Sequence, residues 1–205
     1  MNFLANLNIF IRNSLNWASG RRWHLRLLLW FYLFYIFIRY VINPDYQSIF
    51  APLNLCFHEL GHLVFALFGN FICILGGSFL QCFIPVIGII MFYHQRDFFA
   101  ISVALVWLAT NFYGVATYIA DARAMALPLV TLFGVTPDVT HDWNYILGIL
   151  GLLRFDTTIA FLVRILGFFS MLAGVVYGGW LILEMIKKPT TTCLPEHSQA
   201  KDAPP

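Results

Sequence analysis

Charge is what this sequence has least of. Only 11% of its 205 residues are Asp, Glu, Lys or Arg, against about 25% in an ordinary soluble domain. The net charge is +2 and no basic face with interleaved aromatics appears, so nucleic acid is excluded as an expected partner. Cysteine is sparse as well. Cys56, Cys73, Cys82 and Cys193 show no CxxC spacing, which leaves neither a disulfide framework nor a thiolate metal cluster to expect. The first three lie in apolar stretches, where cysteine serves as a small packing residue. A glycine-, serine- or proline-rich linker is also missing from residues 21–188, so one domain is expected there.

Apolar residues fill the space that charge leaves, at 60% of the chain. A soluble domain of this length could not keep so much apolar surface from water, whereas a bilayer is itself the apolar phase. In residues 1–20, Phe3, Leu4, Leu7, Ile11, Leu15 and Ala18 recur at helical spacing, which predicts an amphipathic helix lying in the membrane interface. Apolar runs follow at about Leu25–Ile42, Ser48–Phe68, 71–93, 98–120 and Thr157–Met185. The third is interrupted by Gly76-Gly77-Ser78, Gln81 and Pro85, which predicts a re-entrant or broken segment. Irregular backbone survives at membrane depth only where protein or a wet cavity satisfies it. Residues 124–156 are mixed: a short helix to Pro128, a loop through Gly134 and Pro137, and a second short helix opened by Thr140-His141-Asp142-Trp143. Gly174 and Gly178 form a GxxxG that allows close helix contact and leaves homo-oligomer formation open. Residues 189–205 are polar and proline-rich, and are expected to be a disordered tail. The expected fold is an all-α polytopic membrane protein with about five transmembrane helices.

Arg12, Arg21 and Arg22 before the first long run, with Arg26 at its start, place the N-terminus in the cytoplasm by the positive-inside rule. Five full crossings would put Lys187 and Lys188 on the far side, against the same rule. Either segment 71–93 does not cross fully, or part of 124–156 does. Within the last run, Arg164 is expected to snorkel to the interface or to pair with Asp156, and Glu184 to pair with Lys188.

The chemistry concentrates in His58-Glu59-Leu60-Gly61-His62. On a helix, His58 and His62 stand at i and i+4 and project from one face. That spacing lets two imidazole nitrogens bind one Zn²⁺ at about 2.0–2.1 Å. Glu59 is displaced by about 100° and reaches a water on the metal rather than the metal itself. With six His and three Glu in the chain, a chance HExxH arises on the order of a quarter of one per cent of the time. An ionisable residue in a membrane span costs about 2.5–3.5 kcal/mol on insertion scales and marks function by default. Here three such residues fall within five positions, flanked by Leu53, Leu55, Phe57, Leu63, Val64 and Phe65.

HELGH inside an apolar span resembles the site-2 protease family of intramembrane zinc metalloproteases, over about residues 48–145. Together with GGSFLQ, YIADARAMALPL and HDWNYIL, it also resembles small bacterial membrane proteins grouped with that family. The resemblance implies a three-helix core, zinc held by His58, His62 and a later Asp, Glu59 as general base, and hydrolysis of a peptide bond in or near a bacterial inner membrane. It implies a membrane protein or peptide as substrate. The family's third ligand lies in a stretch ending Leu-Asp-Gly, which this chain lacks. Asp121 is one candidate by its order in the chain, ten residues after Asn111. Asp142, in the cluster with His141 and Trp143, is the other; it could instead cap the helix that follows it. His141 could itself ligate, and Ser78 and Gln81 could pair with a substrate backbone. The alternative to a peptidase is a zinc-binding membrane protein that acts by interaction. A transporter would spread polar residues along several spans, and here they gather around one motif.

Overall fold

The computed structural model describes residues 3–128, 130–131, 134–135 and 141–187. Among the described residues seven helices follow in order: α1 Phe3–Ala18, α2 His24–Ile42, α3 Ala51–Phe65, α4 Asn70–His94, α5 Phe98–Ala120, α6 Asp142–Ile149 and α7 Asp156–Lys187. A 3₁₀ turn extends α3 through Ala66–Phe68, and another, Leu153–Phe155, leads into α7. The one sheet element among the described residues pairs Val130–Thr131 with Gly134–Val135, two residues a side. Five helical segments are long and apolar enough to cross a bilayer: His24–Ile42, Ala51–Phe68, Asn70–His94, Phe98–Ala120 and Leu153–Lys187. The chain thus fits an all-α polytopic integral membrane protein.

Local signals set the helix boundaries. Asp97 caps α5 by accepting from the Ala100 N–H at 3.2 Å, which satisfies one of the first-turn donors. Pro52 sits in the first turn of α3, where its missing N–H has no helical partner to lose. Gly69 at φ 87° turns the chain between α3 and α4 through a conformation that side chains disfavour.

α5 is the central helix, with buried residues along its whole length from Phe98 to Ile119. α7 packs antiparallel against it. The Ser170 hydroxyl donates to the Leu105 carbonyl at 2.9 Å, and a Cβ at Gly174 would stand 2.7 Å from the Ser102 carbonyl oxygen. The GxxxG is therefore used inside the chain, where α5 and α7 approach closely. α2 joins them through the Trp30 indole N–H on the Val175 carbonyl, 2.8 Å, and through Leu33, Ile36 and Tyr40 packed with Val106, Ala109 and Met171. α1 lies at the Phe98 end, with Trp17 and Ala18 buried against Phe98, Phe99 and Leu181.

Three sequence expectations are corrected. Segment 71–93 is neither broken nor re-entrant: Asn70–His94 is one α-helix with Pro85 inside it. Gly76 and Gly77 are there for close contact with α3. No helix forms over 124–128, because the chain turns after Ala120 and residues 125–128 run without regular structure. Arg164 pairs with Asp45 at 3.1 Å, while Asp156 takes Arg123 at 2.7 Å. Glu184 meets Lys187 at 2.8 Å; Lys188, Pro137, Thr140 and the tail 189–205 lie outside the described residues.

Candidate metal centre

The centre is built on a glycine contact. A Cβ on Gly61 of α3 would collide with the Gly76 carbonyl of α4, and one on Gly77 would stand 2.6 Å from His62 Nε2 and 2.9 Å from His58 Cε1. Glycine at these positions lets two backbones touch and leaves room for both imidazoles between them. Neither Ile nor Phe, common elsewhere in α4, could stand there.

His62 Nδ1 lies 3.0 Å from the Cys73 carbonyl oxygen. A carbonyl only accepts, so Nδ1 carries the proton and Nε2 is turned inward. A metal-ligating histidine is commonly held in this way. His58 Nε2 is 3.0 Å from His62 Nε2. Asp142 Oδ2 completes the triangle, 3.0 Å from His58 Nε2 and 3.3 Å from His62 Nε2.

α6 brings that carboxylate in. His141, not Asp142, is the N-cap: its Nδ1 accepts from the Asn144 N–H at 3.2 Å. Nε2 must then bear the proton, and it points at Asp121 Oδ2, 3.3 Å away. Asp121 also accepts from the N–H groups of Ala126 (2.9 Å) and Leu127 (3.0 Å). The Asn144 amide donates to the Ala122 carbonyl at 2.8 Å, and the Trp143 indole to the Ser78 hydroxyl at 3.1 Å. The Asp142 N–H is received by the Tyr118 hydroxyl at 3.1 Å. α6 is thus tied to α4, to α5 and to the turn after it, and its Asp142 is left to face the histidines.

His58, His62 and Asp142 form a group that could hold a metal ion, and the local chemistry fits one. Asp142 Oδ2 is fully buried and accepts no well-aligned hydrogen bond, although two imidazole nitrogens stand beside it. A buried carboxylate oxygen without a hydrogen bond is costly, and a shared cation satisfies all three atoms at once. Tetrahedral bonds of about 2.0–2.1 Å separate ligand atoms by about 3.3–3.4 Å, against the 3.0–3.3 Å found here. Burial pushes the Asp142 carboxyl up, yet the His58 and His62 imidazoles outweigh it and hold the group below its ordinary value.

A cavity of about 610 Å³ opens beside the three ligand atoms. Glu59 lines it with His58, His62 and Asp142, and so do Ser78 and Gln81. Among the described residues no hydrogen bond restrains the Glu59 carboxylate. The expected site residues therefore divide. His58, Glu59, His62, Asp142, Ser78 and Gln81 share one cavity, whereas Asp121 and His141 hold each other behind it with both His141 ring nitrogens engaged.

Four contributors escaped the sequence reading: Gly61, Gly77, the Cys73 carbonyl and Tyr118. The glycine spacing across HELGH and GGS is the available signal: it marks a wall of the site, as the sequence suggests, but through close helix contact rather than a break. A carbonyl acceptor leaves no trace in the side-chain pattern. Compared with models of protein families, with curated proteins and with solved structures, the chain matches none.

Proposed function

We propose that this chain is a zinc metallopeptidase that hydrolyses a peptide bond of a membrane-associated polypeptide. One observation carries the reading: two histidines and an aspartate converge on a common point, with a glutamate lining the same cavity, among apolar helices. His58, His62 and Asp142 would hold the ion, leaving the fourth position for water and substrate, as catalytic rather than closed structural zinc sites do. A zinc ion supplies a Lewis acid there, polarising a peptide carbonyl and lowering the pKa of water toward about 7.

The remaining work falls to the chain. Glu59 takes a proton from water as the water oxygen bonds to the carbonyl carbon. It returns that proton to the amide nitrogen as the C–N bond breaks, so that acid and amine leave. Ser78 and Gln81 line the cavity where an extended substrate backbone needs partners. The largely apolar helices around the cavity lower the local dielectric, which strengthens each of these electrostatic contacts.

Glu59→Gln tests the assignment, since it removes the base and leaves His58, His62 and Asp142 in place. The purified variant should keep its zinc and lose about 10²–10⁴-fold in turnover of a transmembrane peptide substrate. Unchanged turnover would exclude Glu59 as the base. Zinc retained with no cleavage by either form would favour a binding role instead.

A further inference from the structure

The contacts along α5 report the depth at which each helix begins. α2 runs beside α5 in the same direction, with Trp30 and Leu33 near Val103 and Val106 and the Tyr40 ring stacked on Tyr113 at 4.6 Å. α3 also runs with α5. The Phe50 ring lies 6.4 Å from Trp107, Asn54 bonds Trp107 and Thr110, and the His58 ring is 6.2 Å from Tyr118. Two consecutive helices pointing the same way require a connection that runs backwards.

Residues 43–50 are that connection. The Tyr46 ring returns onto Tyr40 at 5.3 Å, Asp45 accepts from the Thr117 hydroxyl at 2.7 Å, and the chain descends to Phe50 beside Trp107. Trp107 is nine residues into α5, about 14 Å from its start at 1.5 Å per residue, so α3 begins near the middle of the bundle. From there it climbs to the Tyr118 end. α4 then descends, placing Ile89 and Phe92 against the Phe98 cluster. Irregular backbone at this depth needs a wet or protein-lined surround, and Pro44, Asp45, Tyr46 and Gln47 line the 610 Å³ cavity.

We infer that α3 enters and leaves the membrane by one face, and that the metal centre opens on the non-cytoplasmic side. Four crossings, by α2, α4, α5 and α7, put Lys187 and the Arg96 turn on the same face as Arg12, Arg21, Arg22 and Arg26. This satisfies the positive-inside rule that five crossings would break. The opposite face collects Asp45, Asp121, Asp142 and Asp156 with four arginines. Of these, Arg164 and Arg123 pair with two of the aspartates, Arg39 lies over Tyr46, and Arg154 is the fourth. Against them stand Arg12, Arg21, Arg22, Arg26, Arg96 and Lys187 on the first face. A polypeptide reaching the site therefore comes from outside the cytoplasm, as an extracytoplasmic segment lying at the membrane surface. That substrate class rests on the peptidase reading, whereas the sidedness does not.

Cysteine labelling tests the sidedness on the full chain in intact cells, read as a gain over the native cysteines. Asn43→Cys and Asn70→Cys flank α3, and Gln95→Cys lies in the α4–α5 turn; all three positions are exposed. A membrane-impermeant maleimide should label N43C and N70C directly, and Q95C only after permeabilisation. Direct labelling of N43C with N70C protected would mean that α3 crosses, and would overturn the inference. Labelling of Q95C in intact cells would overturn the sidedness. Loss of cleavage activity in no variant of Glu59 would sink the peptidase reading while leaving this labelling pattern intact.

Discussion

Asp121 and Asp142 are both buried carboxylates near the same helix end, yet their surroundings assign them different work. Asp121 is consumed by two backbone N–H groups and the His141 imidazole. Asp142 has an oxygen with no hydrogen bond and two imidazole nitrogens within 3.3 Å. Asp142→Ala should therefore lower zinc affinity by more than the 10–100-fold that loss of an outer-shell partner typically costs. Asp121→Ala should fall inside that 10–100-fold range, because it acts only by loosening His141 and hence α6. Zinc titration of the two purified variants checks the order, and a reversed order would move the third ligand to Asp121. The sequence shows His58 and His62 plainly because four residues on one helix fix their relation. It leaves the third ligand open because the choice depends on which residue caps α6. His141 takes that place with its ring nitrogen, an unusual cap beside the commoner Asp, and so releases Asp142.

At the scale of elements, the α3–α4 hairpin decides whether the histidines can converge. Gly77→Ala introduces a methyl group where His62 Nε2 and His58 Cε1 stand. The helices should persist by circular dichroism while zinc binding is lost. Gly61→Ala meets backbone rather than a movable side chain, and should destabilise the pair by about 1–3 kcal/mol, the usual cost of overpacking. Gly88→Ala is the control, since its Cβ finds nothing nearer than Phe92 at 3.9 Å. It should leave zinc binding unchanged. These glycines also make α4 look broken in the sequence. Pattern alone cannot distinguish a glycine that ends a helix from one that admits a neighbour, and Pro85 beside them strengthens the wrong reading. The unbroken helix becomes evident only when α3 is seen resting on it.

For the whole molecule, apolar content and five long runs were enough to read a membrane-spanning helical fold. The direction of α3 was not legible, because an 18-residue apolar stretch looks the same whether it crosses or turns back. Its partners Trp107, Thr110 and Tyr118 are more than fifty residues away in sequence, and only their order along α5 reveals the re-entry. That arrangement also leaves the metal helix thinly covered by protein. Gly61 alone is buried in the α3 segment 51–68, whereas α5 is buried along its whole length, and Leu53, Leu60, Leu63, Val64 and Leu67 face outward. In a bilayer, acyl chains would cover that outward face of α3, behind the helix that carries His58 and His62. Replacing them with a short-chain detergent should weaken zinc retention before it unfolds α5 and α7, whereas a nanodisc of native thickness should preserve it. Zinc content followed alongside helicity across a detergent series would show the two losses separating; simultaneous loss would mean that protein packing alone holds α3 in place.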